Sequence, residues 1–276
     1  MFAGCNSSYE ESDFVIIGVS FDKTSSFRAG TAEGPDSIRK ASFCFEPYLM
    51  EYDISLSDIA IHDMGDLKEY EQARDIGGDL EKVVSDVIAD AKIPIVIGGD
   101  HSVSPFIVNG LKSKFDEIDV IVLDAHLDYR DEYEGFKNSH ATAVRRISEI
   151  EIVRNLVVIG VRSMSKEESL SETVDYIRTD EMDETNFYSE IVKDNPIYLS
   201  IDMDVFDPSY APGVGNPEPF GIKPKDVKKL IKKLSSSIIG IDIVETNPKF
   251  DSGEMTSNLA ARLVYEFIAT KEVFTK

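Results

Sequence analysis

Val120-Ile-Val-Leu-Asp-Ala-His-Leu-Asp128 runs from four apolar residues directly into three potential metal ligands. An apolar run without alternation suits a strand covered on both faces, as in parallel sheets, and a strand is expected over residues 118–123. Asp124, His126 and Asp128 then lie at its carboxyl end. Two other segments repeat the pattern. Residues 93–97 lead into Gly98-Gly-Asp-His-Ser102, and residues 197–201 lead into Asp202 and Asp204. In an open parallel α/β sheet the carboxyl ends of the strands share one rim, where ligands bind. Three remote segments are therefore expected to bring His101, Asp124, His126, Asp128, Asp202 and Asp204 together. Carboxylates at that density raise each other's pKa steeply unless cations neutralise them. Two metal ions are the economical reading.

The rest of the chain alternates in the same way. Strands are expected at 14–19, 156–159 and 238–244. Helices are expected at 36–45, 76–91, from Ser102 towards Phe115, and at 166–173, 184–192, 224–234 and 254–269. In the second of these, Leu80, Val83, Val84, Val87 and Ile88 form one stripe at helical spacing. Strands alternating with helices argue for a parallel sheet covered on both faces. There is no composition break or repeat, so residues 1–276 read as one domain. The longest irregular stretches, 129–140 and 204–221, both follow ligand clusters, and long loops inside compact domains are usually functional.

Composition narrows the partners. The net charge of −22 argues against nucleic acid, which needs clustered Lys and Arg, and suits steering of a cationic substrate. Most of these charges read as a solvated acidic surface. Cys5 and Cys44 have no pairing pattern and read as thiols of a reducing compartment. No apolar run approaches the roughly 20 residues of a membrane span. The first residues lack the basic and apolar regions of a signal peptide, so a cytoplasmic protein is expected.

Carboxylates with some imidazole and no thiolate suit a harder cation such as Mn2+. Four aspartates balance two divalent ions, and such a pair lowers the pKa of bound water to give a nucleophile at neutral pH. Each cluster alone has a plainer reading. Gly-Gly-Asp-His-Ser also serves as a turn and helix cap, with Asp100 or Ser102 bonding free backbone N–H groups. Three together at strand ends weigh against that. His62 has no ligand partner nearby in sequence and reads as structural.

The ordered motifs resemble the ureohydrolase (arginase/agmatinase) family, the agmatinases most closely, over nearly the whole chain. They are Gly18-Val-Ser-Phe-Asp22, Arg28-Ala-Gly30, Gly34-Pro-Asp-Ser-Ile-Arg-Lys-Ala-Ser42, Asp63-Met-Gly-Asp66, Gly98-Gly-Asp-His-Ser102 and Asp124-Ala-His-Leu-Asp128. Asn138-Ser-His-Ala-Thr142, Ser200-Ile-Asp-Met-Asp204, Asp207-Pro208, Ala211-Pro-Gly213 and Asp242-Ile-Val-Glu-Thr246 complete the set. The resemblance implies a three-layer α/β/α fold with a mainly parallel sheet of about eight strands. It implies two Mn2+ ions, one on His101, Asp124, Asp128 and Asp202, the other on Asp124, His126, Asp202 and Asp204. It further implies that a metal-bridging hydroxide hydrolyses a guanidino compound, foremost agmatine to putrescine and urea. Asp128 would orient the hydroxide, Glu245 would bind the guanidinium, and His140 would pass a proton to the leaving amine. Homo-oligomers, trimers or hexamers, are the family's usual assembly.

Departures from the family pattern touch the pocket and leave the ligands intact. Asn216 and Phe220 replace a hydroxyl residue and a glycine in Gly215-Asn-Pro-Glu-Pro-Phe-Gly221, and Leu127 replaces Thr. Aminopropylagmatine, guanidinobutyrate and arginine remain alternative substrates, and a non-catalytic metal-binding protein of the same fold is the rival class. The acidic segment 131–134 is expected to favour a substrate whose far end is an amine, which disfavours arginine.

Overall fold

The computed structural model describes residues 1–5, 7–168, 174–182 and 195–275. Its strands, in chain order, are β1 (Phe14–Val19), β2 (Tyr48–Leu49), β3 (Ile54–Ser55), β4 (Ile61–Asp66), β5 (Ile93–Gly98), β6 (Ile118–Leu123), β7 (Val153–Val161), β8 (Asp175–Arg178), β9 (Ile197–Asp202) and β10 (Ile238–Val244). β2 and β3 form a small antiparallel pair. The other eight form one sheet in the order β4-β1-β5-β10-β9-β6-β7-β8, with every pairing parallel.

Helices cover both faces, which is why the central strands are almost wholly buried and mainly apolar. Their alternate residues feed two separate cores. Ile95, Ile97, Ile121 and Leu123 pack with α1 (Gly34–Ser42), α5 (Pro224–Leu234) and α6 (Met255–Thr275). Val15, Ile17, Val96, Val120 and Val122 pack with α2 (Ala73–Ala89), α3 (Ser104–Leu111) and α4 (Ala143–Ser148). Burying each such side chain fully stabilises by about 1.5–3 kcal/mol. The α2 stripe is as its spacing predicts, with Leu80, Val84, Val87 and Ile88 buried. The expected three-layer parallel architecture of about eight strands is what the chain adopts.

The differences are local. The helix beyond Ser102 ends at Leu111 rather than near Phe115, and α2 begins three residues before the expected start. The expected helix at 184–192 lies outside the described residues, as does most of the one at 166–173. β4 and β8 were not anticipated. Both are edge strands, and Ile61-His-Asp-Met-Gly-Asp66 is too polar to read as a strand. Among the described residues no helix is long and apolar enough to cross a membrane.

Strand order positions the site. After β5 the chain skips two places in the sheet to lay down β6, and β9 and β10 later fill the gap. The reversal leaves a crevice at the carboxyl ends of β5, β10, β9 and β6, where an open α/β sheet binds ligands. Gly99 lets the exit of β5 press on the chain leaving β1. A side-chain carbon there would lie 1.7 Å from the Phe21 carbonyl oxygen, and the next N–H, of Asp100, donates to that oxygen at 2.7 Å.

Candidate metal centre and active site

The six side chains expected as ligands meet in this crevice. His101 Nδ1 lies 3.1 Å from Asp124 Oδ2 and 3.3 Å from Oδ2 of both Asp128 and Asp202. His126 Nδ1 lies 2.9 Å from Asp204 Oδ2 and 3.5 Å from Asp124 Oδ1. Atoms of His101, Asp124 and Asp128 that could bind a metal fall within 4.8 Å of one another, as do those of Asp124, His126 and Asp204, so Asp124 belongs to both groups.

The backbone device that aims them is not plain strand alternation. Asp124 Oδ1 accepts the His126 N–H at 2.6 Å, and Asp202 Oδ1 accepts the Asp204 N–H at 2.8 Å. Each aspartate satisfies a strand-end N–H two residues on, the Asx turn that such residues favour. One oxygen is thereby spent on the turn and Oδ2 is left facing His101. Asp128 then turns back with φ of +49°. The segment from Asp124 to Asp128 is thus a turn and does not continue β6 as extended chain.

Electrostatics describe a place short of positive charge. Burial, and then Asp124, pushes the Asp128 carboxyl up to about 7, and burial with Asp204 and Asp124 pushes Asp202 well above its usual range. Burial opposes charge on His101, but Asp124, Asp128 and Asp202 outweigh it and raise the imidazole well above its ordinary value. Burial likewise opposes charge on His126, and Asp204 and Asp124 reverse it. His101 Nδ1 and Asp124 Oδ2 are buried without a hydrogen bond. These orphaned atoms, pointed at one another among acids, fit divalent cations with oxygen and nitrogen donors.

A second layer fixes His101. Its Nε2 lies 3.2 Å from Ser200 Oγ, which donates to Asp242 Oδ1 at 2.7 Å, and Tyr198 Oη donates to Asp242 Oδ2 at 2.7 Å. Period-two spacing puts Tyr198, Ser200 and Asp202 on one side of β9, and Asp242 pairs with Ser200 in register. The same period-two signal that makes Asp202 a ligand candidate thus also places Ser200 and Tyr198 on its side of the strand. Arg162, not anticipated, donates through Nη2 to the carbonyl oxygens of Asp204 at 2.7 Å and Glu218 at 2.8 Å, tying the loop after β9 to the ligand segment.

Beside these candidate ligands opens a cleft of about 220 Å³. Its walls include Ser26, Tyr133, His140, Ser163, Asn216 and Glu245. Glu245, at the end of β10 with φ of +63°, accepts the His101 N–H through Oε1 at 3.0 Å. Burial, then Asp100 and Asp204, raises its carboxyl well above the usual range. Gly215 sits beside its other oxygen: a side-chain carbon there would lie 3.2 Å from Oε2. His140 is buried against the Tyr133 ring, edge-on at 5.5 Å between centroids. Burial, and then the charges of His126 and His101, lowers its imidazole to about 4.

Several expectations are corrected or resolved. The acidic segment 131–134 does not face the cleft as a negative patch. Asp131 lies 3.5 Å from Arg145 and 3.4 Å from Arg146, and Glu132 and Glu134 are exposed outside the cleft. Phe220 is 86% exposed and lines a neighbouring hollow, so of the three departures Asn216 and Leu127 border the cleft and Phe220 does not. Asp100 does cap a turn, accepting the Ser102 N–H at 3.1 Å. His62 Nδ1 bonds the Ser7 carbonyl oxygen at 2.9 Å, away from the cluster.

The family model described as Arginase matches residues 12–270. The chain belongs to the arginase family. The agmatinase of Bacillus anthracis is 32% identical over 275 residues, covering 97% of this chain and 95% of that protein. The N(1)-aminopropylagmatine ureohydrolase of Thermococcus kodakarensis is 34% identical, with 96% of this chain and 93% of that protein covered. Among solved structures, the agmatine ureohydrolase of Thermoplasma volcanium superposes with a TM-score of 0.91 at 38% identity, covering 98% of this chain and 93% of that one. This arginase-family chain is, within the family, most like the agmatinases.

Proposed function

We propose that the protein hydrolyses a guanidino compound with two bound Mn2+ ions, foremost agmatine to putrescine and urea. The observation that carries the reading is one buried acidic crevice holding all six ligand candidates with Glu245 beside them. His101, Asp124, Asp128 and Asp202 are assigned to one ion, and Asp124, His126, Asp202 and Asp204 to the other. Divalent ions held there would supply Lewis-acid polarisation and a lowered water pKa.

The chain's own groups do the rest. Glu245 keeps Oε1 on the His101 N–H and turns Oε2 to the cleft, where it accepts N–H groups of the guanidinium in charge-assisted hydrogen bonds. A buried carboxylate among like charges gains most from a cationic partner. Asp128 accepts a hydrogen bond from the attacking water and orients it towards the planar guanidinium carbon. As the new C–O bond forms, His140 takes up at Nε2 the proton that the attacking water releases, and as the C–N bond breaks it delivers that proton to the leaving amine.

The substrate's tail is read from the relatives and from the cleft's outer wall. Among the described residues, the cleft's lining holds one further carboxylate, Glu168, and one arginine, Arg130, with Arg130 Nε 3.6 Å from Glu168 Oε2. Glu168 suits a distal amine; Arg130 favours a second reading, a tail carboxylate as in guanidinobutyrate. Urea release by the manganese-loaded protein from agmatine, aminopropylagmatine, guanidinobutyrate and arginine separates them. Agmatine is expected to lead. Preference for guanidinobutyrate would reassign the tail to Arg130, and no urea from any of the four would remove the enzymatic reading.

A further inference from the structure

Asp100 is fully buried beside the metal ligand His101, yet it points away from the cluster. Its Oδ1 accepts from Ser102, and its Oδ2 accepts both the Thr24 N–H at 3.1 Å and the Thr24 hydroxyl at 2.8 Å. Thr24 in turn reaches His140. Its Oγ1 accepts the His140 backbone N–H at 2.9 Å and lies 3.3 Å from the ring Nδ1. The segment carrying Thr24 is held in place by the contact of Gly99 and Asp100 with Phe21 described above.

The direction of these bonds follows from what each group can give. A carboxylate only accepts, so the Thr24 proton is committed to Asp100. The Thr24 oxygen then has only lone pairs to offer His140, and Nδ1 must supply the proton. We propose that Thr24, its hydroxyl oriented by Asp100, is a positioning residue that holds His140 in the Nδ1–H form, with Nε2 turned to the cleft. The proposal rests on the reading of His140 as the proton carrier. In this form Nε2 is free to take up a proton and pass it on. The imidazolium so formed still donates from Nδ1 into a line that ends on the Asp100 carboxylate. Ser139 Oγ, also 3.3 Å from Nδ1, is the competing partner; it has a proton to offer and would impose the opposite form.

Thr24→Val removes the hydroxyl at nearly constant volume, and Thr24→Ser restores it. In the manganese-loaded full chain, with agmatine as substrate, Thr24→Val is expected to lose roughly 10–100-fold in kcat with KM within about threefold of wild type, the size of effect usual for an orienting partner. Thr24→Ser should return most of that loss, and manganese content should stay unchanged in both. Nitrogen NMR of labelled histidines in the zinc-loaded full chain should show His140 protonated at Nδ1 in wild type and Thr24→Ser, and shifted towards the Nε2–H form in Thr24→Val. A double variant with His140→Asn should be no slower than His140→Asn alone. The proposal is overturned if wild-type His140 carries its proton on Nε2, if serine is no better than valine, or if the two losses add. Wild-type turnover in His140→Asn would instead remove the proton-carrier role, and the NMR result alone would then judge whether Thr24 sets the ring.

Discussion

Asp128 and Glu245 both sit at positive φ without being glycine, +49° and +63°. Left-handed backbone costs an ordinary residue about 1–2 kcal/mol, and such strain clusters where a side chain must be aimed. Here it follows a strand end and turns a carboxylate back into the crevice. The ligand types and their spacing of two were legible in the sequence; the turns that aim them were not, because an Asx turn and an extended segment share the same spacing. Replacing Asp124, the residue common to both ligand groups, by Ala is expected to lower bound manganese below that of wild type and to abolish urea release. Unchanged metal content and turnover in Asp124→Ala would refute its place in the site. With Glu245 binding the guanidinium as proposed, Glu245→Gln turns a charge-assisted hydrogen bond into a neutral one at a loss of about 1 kcal/mol, so kcat/KM should fall roughly fivefold. Its metal content should remain that of wild type, and a loss of manganese would mark Glu245 as part of the metal site.

The central strands β5, β6, β9 and β10 were legible because burial on both faces leaves a mainly apolar run, broken only at single positions such as Ser200 and Asp242. Edge strands escape that rule. β4 carries Asp63 and Asp66, and the guanidinium of Arg39 on α1 holds it, with Nε 2.9 Å from Asp63 Oδ2 and Nη1 on Asp66. Burial opposes the Asp63 charge, but its hydrogen bonds from Arg39 and backbone N–H groups win and lower its carboxyl below the usual value. A lowered folded-state pKa stabilises above the unfolded value and is lost as pH falls through the folded one. Asp63→Asn should therefore be less stable than wild type near neutrality, and the gap should narrow below about pH 4, where the unfolded carboxyl begins to protonate. Denaturant melts across pH check this. A gap that stays constant into acid would show that Asp63 stabilises by packing and not by charge.

Over the whole molecule the strand order carries the function, since it leaves the chain-reversal crevice at the centre of the sheet and sets four strand ends around it. Alternation of strands and helices in the sequence pointed to a parallel sheet, but only the family resemblance pointed to eight strands. Nothing local records that β9 and β10 fill the gap between β5 and β6. The acidic surface, with net charge −22, favours approach of a cationic substrate to this rim. The central claim is that the crevice works as a two-ion site for guanidino hydrolysis. The most direct measurement is the rate of urea release from agmatine as manganese is titrated into metal-free protein, with bound metal counted at each point. Activity should rise with occupancy and reach its plateau at two ions per chain, each urea accompanied by one putrescine. Full activity without metal, a plateau at one ion, or no urea at two ions would contradict the account.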